Sequence, residues 1–322
     1  MLDRLDVLVI GECVADIVRR PGAVDQVLPG GSPANVAYGL ARLGRSATLL
    51  TQLGADENGR LIRDHLTAAG VRVRTDDATA PTPSAAVTLD GDGRAAYTFE
   101  ITWTLAAGGF GTRDALYRYG PPGTAHRHVH TGSIAAVMEP GAGTVRGAVE
   151  SARTEATVSY DPNVRPELMG DHAAAVRRVE RCVALSDIVK ASDEDLEWLY
   201  PGEDPGKAAA RWQATGPALA LVTRGAEGAL AVFRGGRVSI GAVPTDVVDT
   251  VGAGDAFMSG TLHALASRGL LGADGRERLR SVDAGTVTEV LRHAAASAAL
   301  TVARAGADPP DAAELEAALK RI

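Results

Sequence analysis

Short runs of Val, Ile and Leu alternate along the chain with Ala-rich stretches whose apolar residues recur at helical spacing. That alternation favours βαβ units around a mostly parallel sheet, with strands buried on both faces. The runs at 7–10, 47–53, 129–131, 157–160, 188–191 and 219–223 are the predicted core strands. Segment 34–43 predicts an amphipathic helix, with Ser32 as its cap, Pro33 in its first turn and Gly44 closing its C-terminus. Helical spacing returns at 258–265, and the Ala-rich 290–305 predicts a late helix. Two regions break the alternation: 14–28 and 85–99 read as extended strands, the second folded back at Asp90-Gly-Asp-Gly93, a good hairpin turn. They predict a small β-rich lid. Without internal repeats, low-complexity tails or a long linker, the expectation is one three-layer αβα domain over 1–322, its lid formed by segments near 12–30 and 83–105.

Composition narrows the partners rather than the fold. With 33 basic and 40 acidic residues the formal charge is −7, which argues against a broad nucleic-acid surface or an anionic membrane as partner. No stretch approaches the roughly 20 apolar residues needed to cross a bilayer, and the N-terminus does not read as a signal peptide. Cys13 and Cys182 are too far apart in sequence to suggest a disulfide framework or a metal-ligand pair, so a reducing cytoplasm is the expected compartment.

Candidate chemistry concentrates in two glycine turns. Asp249-Thr-Val-Gly252-Ala253-Gly254-Asp255 runs directly into the 258–265 helix. Small residues at 252–254 let backbone N–H groups converge on an anion, and the positive end of the helix dipole strengthens that attraction. Asp255, in the first helical turn, is placed to accept the proton of an attacking hydroxyl. A plain tight turn whose Asp stabilises the helix start has the same pattern. The segment completes neither Gly-x-x-x-x-Gly-Lys-Ser/Thr nor Gly-x-Gly-x-x-Gly, since Phe257 occupies the last position of the latter. The second turn, Gly30-Gly31-Ser-Pro-Ala-Asn35, permits close backbone approach to a ligand and offers an amide that both donates and accepts. Asp16 shares one face of an extended segment with Val14 and Val18, where a carboxylate needs a partner. Tyr97, Phe99 and Trp103 in the lid suit either covering a ligand or core packing. His126, His128 and His130 alternate and would share a strand face, but a buried parallel strand does not readily display metal ligands.

The segment Asp249–Asp255 with Ala256-Phe257, together with Gly30–Gly44, resembles the paired signatures of the ribokinase-like, PfkB-type carbohydrate kinases. Gly11-Glu12-Cys13-Val14-Ala15-Asp16 and Asp161-Pro162-Asn163-Val164-Arg165 are similar to segments of fructokinase-type members. The resemblance implies a ribokinase-like three-layer αβα fold with a β lid, and transfer of the γ-phosphoryl group of ATP to a primary sugar hydroxyl. Fructose is the preferred acceptor; ribose, 2-keto-3-deoxygluconate or a nucleoside are alternatives within the class, and a non-catalytic sugar or nucleotide sensor is the alternative outside it. By residue, it implies Asp255 as base, Gly252, Ala253 and Gly254 as anion hole, and Arg165 on the transferring phosphate. Asp16, Gly30, Gly31, Asn35 and Phe99 fall on the sugar side. Lys190, Ser192, Thr223, Gly225 and Gly228 fall on the nucleotide side, with the role of Arg224 open. Ser192 and Asp195 stand where the family commonly has Asn and Glu, so the shorter Asp195 is expected to order water around Mg²⁺. Asp249 and carbonyls near Gly306 match a monovalent-cation region, potassium in particular. The small residues of 294–307 suit an adenine-side helix or plain helix packing. Relatives often pair through the lid, which implies a homodimer.

Overall fold

The computed structural model describes residues 6–19, 24–75, 79–89, 95–105 and 126–322. The Asp90–Gly93 turn lies outside these residues. Thirteen strands are described: β1 Asp6–Ile10, β2 Val14–Arg19, β3 Gln26–Gly30, β4 Ser46–Thr51, β5 Arg72–Thr75, β6 Ser84–Leu89, β7 Ala95–Glu100, β8 His128–Gly132, β9 Thr157–Asp161, β10 Ile188–Ser192, β11 Leu219–Thr223, β12 Ala229–Phe233 and β13 Gly236–Ile240. The α-helices are α1 Ser32–Arg42, α2 Glu57–Ala68, α3 Gly141–Ala152, α4 Pro166–Met169, α5 His172–Leu185, α6 Asp193–Leu199, α7 Pro205–Thr215, α8 Ala253–Ser267, α9 Ala273–Arg280, α10 Ala284–Val302 and α11 Ala312–Leu319.

Nine strands form one sheet in the order β13-β12-β11-β10-β9-β8-β1-β4-β5, parallel from β11 to β5 and antiparallel only at β12 and β13. All six predicted core strands lie in its parallel part. Burial on both faces is why they read as unbroken apolar runs. Alternate residues serve two cores: Val7, Val9, Ile188 and Leu221 face helices including α1, α8 and α10, while Val189, Ala191, Ala220 and Val222 face α5 and α7. Among the described residues no helix is long and apolar enough to cross a membrane.

The other four strands form a separate sheet, β3-β2-β6-β7, in which β2 pairs parallel with β6. Register places Leu28, Asp16, Ala85 and Phe99 in one row across it. Trp103, by contrast, does not cover anything. It is 1% exposed, sits in the core beside Val129 and Val145, and donates from Nε1 to the carbonyl of Ala135 at 3.1 Å. That apolar socket, with a partner for the indole N–H, is why it packs inward.

The three alternating histidines are all fully buried. Thr157 and Ser159 serve His128 from both ring nitrogens at 2.8 Å, and Ser159 also reaches His130 Nδ1 at 2.8 Å. Burial, with nearby positive charge adding to it, holds both rings neutral, their pKa values lowered to about 3. They are internal hydrogen-bonding groups of a strand, and the described residues contain no cluster that could hold a metal ion.

Candidate active site

Parallel strands β1, β8, β9, β10 and β11 end on the same edge of the sheet, and the loops leaving that edge supply the candidate residues. Two helices aim at it. Their packing needs small residues at the crossings: a Cβ on Gly39 of α1 would lie 2.5 Å from Ser259 Oγ of α8. One on Gly260 of α8 would lie 2.9 Å from Ser297 Cβ of α10. Ala294 and Ser297, among the small residues of 294–307, lie at that crossing.

The α1–α8 crossing brings the N-terminus of α1 to that of α8. Ser32 Oγ donates to Asp255 Oδ1 at 2.6 Å, and Asn35 Nδ2 donates to Asp255 Oδ2 at 2.8 Å. This corrects the expected capping role of Ser32: Gly31 is the cap residue of α1, without a side-chain bond, and the Ser32 hydroxyl is drawn to the stronger acceptor, a carboxylate. At the other end of α1 Gly44 closes the helix as expected, with φ 76° and its N–H on Ala41. Burial raises the Asp255 pKa, and the bonds from Ser32 and Asn35 and the charges of Lys190 and Arg165 oppose that rise. Asp255 is itself half-buried, so solvent tempers the push.

Gly252 is the cap residue of α8 in the left-handed region, φ 75° and ψ 0°, and a Cβ there would lie 2.6 Å from Ala307 Cβ. Ala253 N–H closes a turn onto Thr250 at 3.3 Å, while the first intrahelical bond runs from Ala256 to Gly252 at 2.8 Å. The N–H groups of Gly254 and Asp255, ahead of that bond, are those a helix start leaves without intrahelical acceptors. Of the expected anion-hole residues 252–254, Ala253 has its N–H engaged in its own turn, and the N–H groups at the entrance without an intrahelical acceptor are those of Gly254 and Asp255. Lys190 Nζ lies 2.9 Å from where a Gly254 Cβ would be, so the ammonium stands beside the cradle. It is buried and paired with Asp161 Oδ2 at 3.0 Å. Burial alone would discharge it, but Asp161, Asp195 and Asp255 together raise its pKa. Burial pushes Asp161 the same way, to about 7, against the attraction of Lys190.

Arg165 is exposed, its side chain donating to the carbonyls of Val164 at 2.8 Å and Asn163 at 3.3 Å, and among the described residues it forms no salt bridge. Its charge is felt at Glu12, Asp16 and Asp255, which locates it among the three carboxyls. Asp16 is half-buried with its pKa pushed up by burial to about 6. The glycine pair is needed by the protein's own packing as well. A Cβ on Gly30 would strike Asp16 Oδ2 at 2.0 Å, and one on Gly31, φ 99°, would strike the Glu12 carbonyl at 2.6 Å. Both glycines make room for site residues.

The nucleotide-side residues divide. Thr223 ends β11 opposite Ser192, and Gly225, φ 50°, has open space around it. Gly228, φ 88°, has no such space: a Cβ there would meet the Ile240 carbonyl at 2.1 Å, which packs it against the end of β13. Arg224 turns back onto the Glu227 carbonyl, at 3.4 Å. Ser192 and Asp195 form a capping box on α6, with Ser192 Oγ accepting from Asp195 N at 2.9 Å and Asp195 Oδ2 from Ser192 N at 2.8 Å. Asp195 Oδ1 also accepts from Val164 N at 2.7 Å, fixing the loop that carries Arg165. Asp249 ties the cradle loop to the late turn, accepting from Val251 N at 3.0 Å and Gly306 N at 2.8 Å, bonds that lower its pKa. Phe99 stands 36% exposed on the small sheet.

An anion cradle and a carboxylate able to take a hydroxyl proton, held at one helix entrance, are the parts of a phosphotransferase with an alcohol acceptor. The chain belongs to the pfkB family of carbohydrate kinases, which matches residues 4–313. It is 36% identical over 274 residues to a fructokinase of Salmonella typhimurium, covering 82% of this chain and 85% of that one. Among solved structures it resembles the fructokinase of Xylella fastidiosa with bound ATP, at 27% identity and TM-score 0.86 over 99% of both chains. It also resembles a double mutant of the Vibrio cholerae fructokinase in a fructose, ADP and potassium ion bound form, at 26% identity and TM-score 0.78 over 98% of both chains.

Proposed function

We propose that the protein is an ATP-dependent fructokinase, and that Asp255 is its catalytic base. The observation that carries this reading is the Asp255 carboxylate, gripped by Ser32 and Asn35 at the mouth of the α8 cradle with Lys190 alongside. Asp255 takes the proton of a primary hydroxyl, and that oxygen forms a bond to the γ-phosphorus as the bond to the bridging oxygen breaks and ADP leaves. The amides of Gly254 and Asp255, with Lys190 and Arg165, stabilise the negative charge spread over the phosphoryl oxygens. Asp16 and the free amide oxygen of Asn35 receive sugar hydroxyls, Gly30 and Gly31 keep that space open, and Thr223 and Gly225 lie toward the nucleotide. The sheet β3-β2-β6-β7 acts as a lid, with Phe99 on its sugar side, and excludes water that would otherwise hydrolyse ATP.

Asp195 does not suit direct metal ligation, since both of its oxygens already accept backbone amides. Its remaining lone pairs suit a water of a hydrated Mg²⁺, an ion that neutralises phosphate charge when it arrives with the nucleotide. Asp249, anionic and beside Gly306, suits a monovalent cation in the same indirect sense. Fructose as acceptor is supported by the fructokinase-type segments Gly11–Asp16 and Asp161–Arg165 and by the likeness to fructokinases. A panel of fructose, ribose, 2-keto-3-deoxygluconate and nucleosides, read by ADP release with ATP as donor, tests it. Fructose is expected to give the highest kcat/KM, and a higher value for any other acceptor replaces that assignment.

A further inference from the structure

Both stems of the β6–β7 pair, through which that half of the small sheet joins the body of the protein, pass one buried amide. Segment 79–83 leads into β6 and segment 101–105 leaves β7; Gln52 stands between them, one residue past the end of β4. Gln52 is 3% exposed and uses both ends of its side chain. Nε2 donates to the carbonyl of Thr102 at 3.0 Å and lies 3.5 Å from that of Pro81. Oε1 accepts from Thr104 N at 2.9 Å and Thr104 Oγ1 at 3.1 Å. A buried amide with both ends satisfied holds its partners firmly, because breaking any bond leaves an unpaired group out of water.

The first stem has a second anchor beside it. Thr82 donates from N to Asp56 Oδ2 at 2.9 Å and from Oγ1 to Asp56 Oδ1 at 2.7 Å, and its hydroxyl also accepts from Gly54 N at 3.0 Å. Asp56 is the cap residue of α2, accepting from Gly59 N at 2.8 Å, so the stem is tied to a helix start. The approach is so close that a Cβ on Gly54 would lie 2.8 Å from Thr82 N. The second stem is fixed below by Trp103, whose carbonyl accepts from Gly141 N at 3.0 Å.

We propose that Gln52, with Thr82 as its companion, is a positioning residue for the sugar acceptor: it sets where the Asp16–Phe99 row of the small sheet stands over the acceptor site. The inference rests on the reading of that sheet as the acceptor lid. Ala85 lies between Asp16 and Phe99 in the row and only a few residues beyond Thr82, so displacement at the stems is carried directly to the row. No hydrogen bond among the described residues links Gln52 or Thr82 to 249–255, Lys190 or Thr223. Loss of the anchor therefore acts on the acceptor side alone. Misplacement by about 1 Å far from the chemistry is enough to lower turnover by orders of magnitude.

The test uses the full chain with fructose and ATP. Gln52→Met keeps the bulk and removes the amide bonds; Thr82→Val removes the hydroxyl links while leaving Asp56 to cap α2. Expected in both is a rise of about fivefold or more in the KM for fructose with the KM for ATP within about twofold of wild type. More ADP than sugar phosphate should also form, as water enters beneath a loosened lid. A fructose KM raised less than that, or both KM values rising together, overturns the proposal. Should Gln52→Met fail to fold, Thr82→Val alone decides it. Asp255→Asn in the same assay separates the two readings: if it abolishes transfer while the stem variants leave the fructose KM unchanged, only the inference about the stems fails. If Asp255→Asn keeps full activity, the site assignment fails and the inference built on it goes too.

Discussion

At the scale of single residues, Asp255 is pulled two ways. Burial favours its neutral form, whereas a base must be charged, and the bonds from Ser32 and Asn35 restore part of the charged form. Replacing Asp255 with Asn should lower kcat by about 10²–10⁴-fold, the usual worth of a positioned base, while calorimetric titration still reports fructose and ATP binding. Retained turnover would remove Asp255 from the mechanism. The pH profile gives a finer check. The carboxyl must ionise before it can accept a proton, so kcat falls on the acid side as pH drops through its raised pKa. Ser32 holds that pKa down, so Ser32→Ala should move the acid limb of kcat to higher pH. A limb that stays put, or moves to lower pH, would show that the 2.6 Å bond does not tune the base.

At the scale of elements, the site depends on how helix ends are built. Gly252 in the left-handed region, against Ala307, leaves no space for a side chain, so Gly252→Ala should shift the start of α8 and reduce kcat/KM for ATP by about tenfold or more. Steady-state kinetics with ATP varied would show it, and an unchanged value would mean the cradle tolerates displacement. The capping box on α6 predicts a different kind of loss: Ser192→Ala should cost about 1 kcal/mol in urea denaturation, the usual worth of a cap. The elements themselves were legible where local pattern decides them. Six of the seven parallel strands, with α1, α8 and α10, follow from apolar runs, helical spacing and punctuation by glycine and proline. Strands β5 and β13 escaped because Arg72–Thr75 and Gly236–Ile240 carry charged or exposed residues typical of sheet edges, whereas β12, Ala229–Phe233, is a buried apolar run like the six and was passed over beside the 225–228 turn. Within the candidate site, the placing of Gly252, Gly254 and Asp255 together at the start of α8 could be read because they lie in one contiguous turn. Ser32 could not be assigned to Asp255, since the bond joins segments far apart in sequence and a serine before a proline-led helix is the ordinary sign of a cap. Gln52 and Asp56 were missed for the same reason: nothing local marks a side chain that works by tying together two distant stems.

At the scale of the whole molecule, two expectations concern assembly and charge. Among the described residues strands β3 and β7 are the edges of the small sheet, and Leu28 and Phe99 are exposed on it at 40% and 36%, so pairing of two copies through their lids is the proposed assembly. Light scattering at working concentration should give a dimer mass, and a monomer alone would refute it. Building the site also costs electrostatic free energy. Glu12, fully enclosed, is pushed by burial from its ordinary 4.5 to about 7 against hydrogen bonds from Ser133 and from the backbone of Glu12 and Ala135 and the charge of Arg165, and burial likewise raises Asp16 to about 6 and Asp161 to about 7. A carboxyl whose folded pKa exceeds its unfolded one holds the extra proton only in the folded state. Its stabilising effect is complete below the unfolded value and disappears as pH rises through the folded one. The protein should therefore lose stability between about pH 4.5 and pH 7, the reverse of ordinary acid denaturation, with Glu12 alone contributing about 3 kcal/mol. Asp56, Asp249 and Glu314 have lowered pKa values and act in the opposite sense below that window, which places the optimum near its acid end. Urea midpoints at pH 5 and pH 8 measure the effect: the wild type should unfold at lower urea at pH 8, and Glu12→Gln, which cannot ionise, should narrow the difference. If the midpoint rises between pH 5 and pH 8 in both proteins, the enclosed carboxyls are not held protonated, and the electrostatic cost assigned to this site is wrong.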